Sequence, residues 1–256
     1  MKINTLFCPT HVEELYFTGK TVAVIDVLRA TTTIITALNN GAKEIIPVGN
    51  FEFAMKISGS MFGGQTLLGG ERNTKKIDGF NLGNSPLEYT KETVSGKSIV
   101  LLTTNGSKAV VKTKFSDTSV ICAFLNLSTV AKYLASLNKD MEIVCSARSG
   151  FFSLEDAICA GKLASEIASL TGSIEKTDST NAAIQLAKSF GKNLKKMLYD
   201  TVHGKLLIEN GFEEDLKYCA KLNSTEIIPV FSSGSIKIFQ PPSENITDLS
   251  NQPENV

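Results

Sequence analysis

TVAVIDVLRATTTIITALNNG, residues 21–41, joins a strand to a helix through a polar turn. Thr21 to Ile25 is a β-branched, apolar run of the kind that fills a strand buried on both faces, and Asp26 follows at its carboxyl end. Ala30 to Leu38 reads as a helix with Ala30, Ile34, Ala37 and Leu38 on its apolar face, closed by Asn39, Asn40 and Gly41. A carboxylate, the Arg29 guanidinium and three threonines therefore crowd one strand-to-helix turn. The first amides of a helix lack internal partners and favour anions. Thr31, Thr32 and Thr33 add hydroxyls, and Arg29 can grip a phosphate or carboxylate with two parallel bonds. Helix capping accounts for an isolated turn of this kind equally well, so the rest of the chain decides.

A chain of 256 residues with 42% hydrophobic content can build one large α/β domain or two small ones. Lysine and arginine (26) balance aspartate and glutamate (26), and no basic stripe interleaves with aromatics, so nucleic acid is not an expected partner. No apolar run reaches a membrane span and the segment MKINTLFCPTH lacks a signal-peptide layout, which points to the cytoplasm. The five cysteines lie far apart in apolar sequence and read as reduced, buried thiols. His11 and His203 are too few and too distant in sequence to suggest zinc; His203 reads as a packing or surface residue, and any metal is expected on oxygen ligands.

Outward from the opening turn, strands and helices alternate. Strands are expected at Lys2 to Cys8, Lys43 to Val48, Gln65 to Leu68, Ser98 to Leu102, Val120 to Phe124 and Glu142 to Cys145. Helices are expected at Phe51 to Met61, in KAVVKTKF (108–115), at Asn126 to Leu137 and at Ser153 to Leu170, then at Ser179 to Ser189, Leu194 to Glu209 and Glu213 to Leu222. Ser85, Pro86 and Glu88 spell a capping box, as do Ser153 and Asp156. Neither box needs Asn84 or Glu155; Asn84 either meets a ligand or folds its loop through its own backbone. EIIPV at 44–48 recurs at 226–230 ahead of a closing hairpin, which hints at two related halves within one domain, residues 1–240. Residues 241–256 read as a polar, flexible tail.

Four expected strand ends carry polar clusters: Asp26 with Arg29, Glu71 with Arg72, Thr104 with Asn105, and Arg148 with Glu155. Open α/β sheets bind ligands outside the carboxyl ends of their strands, so these clusters face one crevice if the strands run parallel. Acids and arginines at helix starts, without an activated serine, suit phosphoryl chemistry assisted by a hard cation, of which magnesium fits best. No G-x-x-x-x-G-K-[ST] loop, D-x-D nucleophile pattern or C-x-x-x-x-x-R loop is present at these turns.

DVLRATTTI (26–34), GGERN (69–73), GFNLGNSP (79–86), TTNGS (103–107), FLN (124–126) and ARSGFFSLED (147–156) together resemble the 2-phosphosulfolactate phosphatase family, known as ComB, over the chain to about Phe239. The resemblance implies a magnesium-dependent acid phosphatase that converts 2-phospho-3-sulfolactate to sulfolactate and phosphate, a step of coenzyme M biosynthesis. It also implies a three-layer α/β/α fold around a mostly parallel or mixed sheet. Asn73 stands where the family commonly has glycine, and Asn81 where it often has an acid. The residues and the resemblance agree on a site: Asp26, Arg29, Glu71 and Arg148 as the catalytic set, with Asp26 and Glu71 holding Mg2+. Thr31, Thr32, Arg72, Asn84, Thr104, Asn105, Ser149 and Glu155 would contact a small anionic phosphorylated substrate. Asp26 as a covalent nucleophile, another phosphorylated hydroxy acid as substrate, a non-catalytic metabolite-binding role and self-association all stay open at this point.

Overall fold

Thr21–Ile25 forms a strand buried at every position, because both of its faces are covered. Side chains alternate across a strand. Val22 and Val24 pack with Ile34, Ile35 and Leu38 in one core, while Ala23 and Ile25 pack with Leu134, Ile158 and Leu163 in another. Helices thus cover the sheet on both sides, the three-layer α/β/α arrangement expected.

The computed structural model describes residues 1–60 and 66–240. The expected helix end at Met61, the strand start at Gln65 and the tail at 241–256 lie outside the described residues. In chain order the elements are β1 (Lys2–Leu6), β2 (Thr21–Ile25), α1 (Ala30–Asn39), β3 (Glu44–Val48), α2 (Phe51–Ser60), β4 (Thr66–Arg72) and β5 (Lys75–Lys76). There follow α3 (Lys91–Val94), β6 (Ser98–Leu102), α4 (Gly106–Lys112), β7 (Thr118–Cys122), α5 (Leu127–Leu137), β8 (Met141–Cys145) and α6 (Leu154–Thr171). The last third carries β9 (Glu175–Lys176), α7 (Asp178–Phe190), α8 (Leu194–Asp200), α9 (Val202–Glu209), α10 (Glu213–Cys219), β10 (Pro229–Ser232) and β11 (Ser235–Ile238).

The helix expected from Leu194 to Glu209 is two helices. Thr201 is extended (φ −68°, ψ 155°) and its hydroxyl accepts the Gly204 amide at 2.9 Å, so it ends α8 and caps α9. The strand expected to reach Phe124 stops at Cys122, and Asn126 folds the next turn by accepting the Ala123 amide at 3.0 Å. Four of the five cysteines are buried and Cys8 is half-buried; all are free thiols. Among the described residues no helix is long and apolar enough to cross a membrane.

The strands form one mixed sheet in the order β5-β4-β6-β3-β11-β10-β7-β2-β8-β1-β9. Two parallel blocks, β4-β6-β3 and β7-β2-β8-β1, are joined through the β10–β11 hairpin, which pairs antiparallel with β3 on one side and β7 on the other. Three antiparallel junctions in a row set the two blocks in opposite senses. The condition that every site-bearing strand run parallel is therefore corrected. The ends still converge: a Cβ on Gly106, the first residue of α4 after β6, would lie 2.4 Å from Oδ2 of Asp26, at the end of β2. Strands twist by roughly 20–25° per neighbour, so the five steps from β6 to β2 rotate the axes by roughly 100° or more, and ends that a flat sheet would separate meet at one corner.

Candidate active site

Asp26 leaves β2 at that corner, 6% exposed, with Oδ1 accepting the Ala30 amide at 3.2 Å. Burial, with a smaller push from the charge of Glu71, raises its carboxyl to about 6 against the opposing effects of His203, the Ser146 hydroxyl and the Ala30 amide. The threonines beside it are fully buried and serve the backbone. Thr31 Oγ1 accepts the Asp26 amide at 3.0 Å and also lies 2.8 Å from the Asp26 carbonyl, Thr32 Oγ1 donates to the Val27 carbonyl at 2.9 Å, and Thr33 Oγ1 to the Asn84 carbonyl at 2.8 Å. The expectation that Thr31 and Thr32 meet the ligand is corrected: their hydroxyls hold the turn that aims Asp26.

Arg29 is corrected in part. It forms a piece of the cavity wall but is 2% exposed, with Nη1 donating to Asp215 Oδ2 at 2.7 Å and Nη2 to the Thr74 carbonyl at 2.8 Å. Its Cζ stands 4.2 Å from the ring centroid of Phe212. The other Asp215 oxygen accepts Ser85 Oγ at 2.7 Å. Arg29 is thus a neutralised clamp between the start of α1, the Thr74 turn and α10. Asp215 had no sequence signal as its partner, because Glu213, Glu214 and Asp215 read as an ordinary acidic helix start.

Glu71 ties two strand ends together. Its Oε1 accepts the Thr104 amide at 2.7 Å, and its Oε2 accepts Thr104 Oγ1 at 3.1 Å and the Thr74 amide at 3.0 Å. Asn73 and Thr74 take positive φ (53° and 70°) in the turn to β5, the conformation that glycine adopts most freely. Asn105 Oδ1 accepts the Ser149 amide at 3.0 Å and so fixes the loop after β8. Asn81 lies away from the cavity, its Oδ1 accepting the Leu68 amide at 2.8 Å.

Neither expected capping box closes. Ser85 accepts the Leu87 amide at 3.3 Å, but Glu88 turns to the Gly83 amide at 2.7 Å. Ser153 makes no cap bond; Asp156 instead accepts the Val27 amide at 2.9 Å and Ser146 Oγ at 3.3 Å, which braces the residue after Asp26. Burial, and then the charges of Asp26 and Glu155, hold the Asp156 carboxyl well above the usual carboxylate range. Glu155, 3% exposed, faces Nδ1 of His203 at 3.4 Å.

These groups enclose a cavity of about 630 Å³. Asp26, Glu71, Arg72, Asn84, Thr104, Asn105, Arg148 and Ser149 all line it, while Glu155 lines an adjoining cleft of about 560 Å³ that shares Arg148, Ser149 and His203. Sequence reading missed Leu28, Thr74, Lys75, His203, Leu206 and Asn210 as lining residues, and marked Asn73 only as a departure from the family pattern. Lys75 could have been found from the basic pair that follows GGERN; a lone histidine in an amphipathic helix carries no such mark. Arg29 is already matched by Asp215, which leaves Arg72, Lys75 and Arg148 as the cations that line the same cavity as Asp26 and Glu71. Among the described residues none of those three cations forms a salt bridge.

The donor set suits magnesium. Among the described residues no three His, Cys, Asp or Glu side chains converge as a metal cage, but Mg2+ is commonly held by one or two carboxylates with water and substrate oxygens. Asp26 and Glu71 supply that number, Asp26 is buried and forms no salt bridge among the described residues, and the buried Oδ1 of Asn84 on the same wall has no partner.

Fold and site together define an α/β protein that gathers strand ends around a pocket lined by two carboxylates and several cations. A sequence model of the family described as 2-phosphosulpholactate phosphatase matches residues 7–234, and the chain belongs to that family. It is 42% identical over 221 residues to the "Probable 2-phosphosulfolactate phosphatase" of Caldanaerobacter subterraneus subsp. tengcongensis, covering 86% of this chain and 91% of that one. Proteins with the same name from Clostridium perfringens (39% over 242 residues, 94% and 97% covered) and Thermotoga maritima (41% over 215 residues, 84% and 90%) are similarly close.

Proposed function

We propose that this protein is a magnesium-dependent phosphatase that hydrolyses 2-phospho-3-sulfolactate to 3-sulfolactate and phosphate in the cytoplasm, a reaction of the coenzyme M biosynthesis type. The observation that carries this reading is the buried carboxylate of Asp26, its pKa raised to about 6, in the cavity that Arg72, Lys75 and Arg148 also line. The names of the relatives support the substrate.

Asp26 and Glu71 would hold the metal, which when bound withdraws charge from the phosphoryl oxygens. Arg72 and Arg148 take the remaining phosphate charge in charge-assisted bonds, and Lys75 at the exposed rim takes the sulfonate or carboxylate. Asn84 and the Asn105–Ser149 pair complete the wall that fixes the ester in place. Hydrolysis of a phosphate monoester needs up to roughly 10²¹-fold acceleration, so these contacts act as one preorganised set rather than singly.

Phosphate release from 2-phospho-3-sulfolactate and a panel of other phosphorylated hydroxy acids, with magnesium and with chelator, tests the reading. Release from the sulfonated substrate that stops on chelation is expected. Tight binding with no release from any ester would make the protein a metabolite binder, and release only from other esters would move the substrate.

A further inference from the structure

We propose that His203 is a catalytic residue that protonates the leaving oxygen of the ester, and that Glu155 is the residue that positions it. The proposal rests on the phosphatase reading above. His203 lines both the cavity that holds Asp26 and the adjoining cleft that holds Glu155, and so stands where the two meet.

Glu155 is a buried carboxylate without a structural task. Its neighbour in the first turn of α6 is accounted for, since Asp156 braces Val27. The basic side chain Glu155 meets among the described residues is His203, whose Nδ1 lies 3.4 Å from Oε1. A carboxylate on one ring nitrogen sets the tautomer and orientation of an imidazole, and leaves Nε2 for the cavity. The ring is mounted rigidly. Thr201 caps the turn that carries it, and Gly204 packs so tightly that a Cβ there would lie 1.8 Å from the Leu198 carbonyl oxygen.

The chemistry calls for such a group. The ester of an aliphatic hydroxy acid leaves as an alkoxide, which departs far more readily when it receives a proton. Arg29, Arg72 and Arg148 do not release protons. A doubly protonated imidazole can, with one N–H toward Glu155 and Nε2–H left to donate. As the ester P–O bond breaks, its electron pair passes to the leaving oxygen, which takes the proton from Nε2. Water supplies the hydroxyl for the new P–O bond, and the proton it releases restores His203. The charged groups that share these two cavities with His203 are Glu155 from α6, Asp26 from the end of β2, Arg29 before α1, Glu71 and Arg72 from β4, Lys75 from β5, Arg148 from the loop after β8 and Asp200 from the end of α8.

The test compares wild type with His203→Gln and Glu155→Gln on 2-phospho-3-sulfolactate and on p-nitrophenyl phosphate, whose leaving group needs no proton. On the alkyl ester, His203→Gln should lower kcat by about 10²–10⁴-fold and remove the alkaline limb of its pH profile. It should lose far less on the aryl ester, and Glu155→Gln should show the same selectivity to a smaller degree. Equal losses on both esters, more than about a tenth of alkyl-ester activity retained, or a preserved alkaline limb in a folded variant would overturn the proposal and leave the phosphatase reading standing. If wild type does not turn over the aryl ester, the limb alone decides. If wild type releases phosphate from no ester, the phosphatase reading fails and this proposal with it.

Discussion

Nη1 of Arg29 lies 2.7 Å from Oδ2 of Asp215, a contact between two side chains that are 2% and 3% exposed and come from positions 186 residues apart. It turns an arginine that resembles a phosphate grip into the pin that holds α10 and the Thr74 turn against the start of α1.

Removing one partner of such a pair leaves a charge buried and unpaired, at a cost of about 3–5 kcal/mol. Asp215→Ala should lower the unfolding free energy, read from urea titration, by that amount. Arg29→Met, which removes the other charge while keeping apolar bulk on Phe212, should partly restore stability in the double variant. Additive losses in that cycle would mean the two residues act independently.

Asp26 sets a pH dependence opposite to that of a salt-bridged acid. Its folded-state carboxyl is held at about 6 against an ordinary 3.8, so the fold disfavours its ionised form. Its contribution is most favourable below about 3.8 and is lost as pH rises through about 6. Metal-free Asp26→Asn should therefore gain stability relative to wild type across that window, as read by thermal melts in a pH series. At neutral pH magnesium should raise the Tm of wild type and leave the variant unmoved, and the variant should lose turnover by roughly 10²-fold or more. An Asp26→Asn protein that magnesium still stabilises would take this carboxylate away from the metal.

Gly106 is the point where α4 meets Asp26. An added Cβ would stand 2.4 Å from both Asp26 Oδ2 and Ala30 Cβ. Gly106→Ala should cost about 1–3 kcal/mol by overpacking and lower kcat together with it, because what must shift is the carboxylate itself. Wild-type kcat in a destabilised variant would show that Asp26 does not have to hold this position.

Arg72 and Arg148 have no salt-bridge partner to lose among the described residues. Arg72→Gln and Arg148→Gln should each leave the melting temperature nearly unchanged, while weakening inorganic phosphate as a product inhibitor by about 10-fold or more, the worth of a charge-assisted bond. Isothermal titration separates this from a stability effect, and unchanged phosphate affinity would remove the residue from the anion site.

Much of this was readable in the chain because it is local. Unbroken apolar runs made β2 and β6 legible as strands buried on both faces, and the strand-end clusters marked Asp26, Glu71, Thr104, Asn105 and Arg148. The threonines misled because a hydroxyl beside a helix start reads the same whether it faces a ligand or, as Thr31 and Thr32 do, returns to the backbone. Asp156 misled in the same way, with the spacing of a cap and the bonds of a brace.

The amino-acid order by itself determined the elements and which polar residues stand at their ends, since both depend on periodicity and neighbours a few positions away. Tertiary structure alone decided that two opposed parallel blocks, joined by the β10–β11 hairpin, twist until the ends of β2 and β6 meet. It also decided that Asp215 would claim Arg29 and that Glu155 would face His203. Those pairings are fixed by packing between residues far apart in the chain, where contact is set by the closing of the core and leaves no short-range pattern to read.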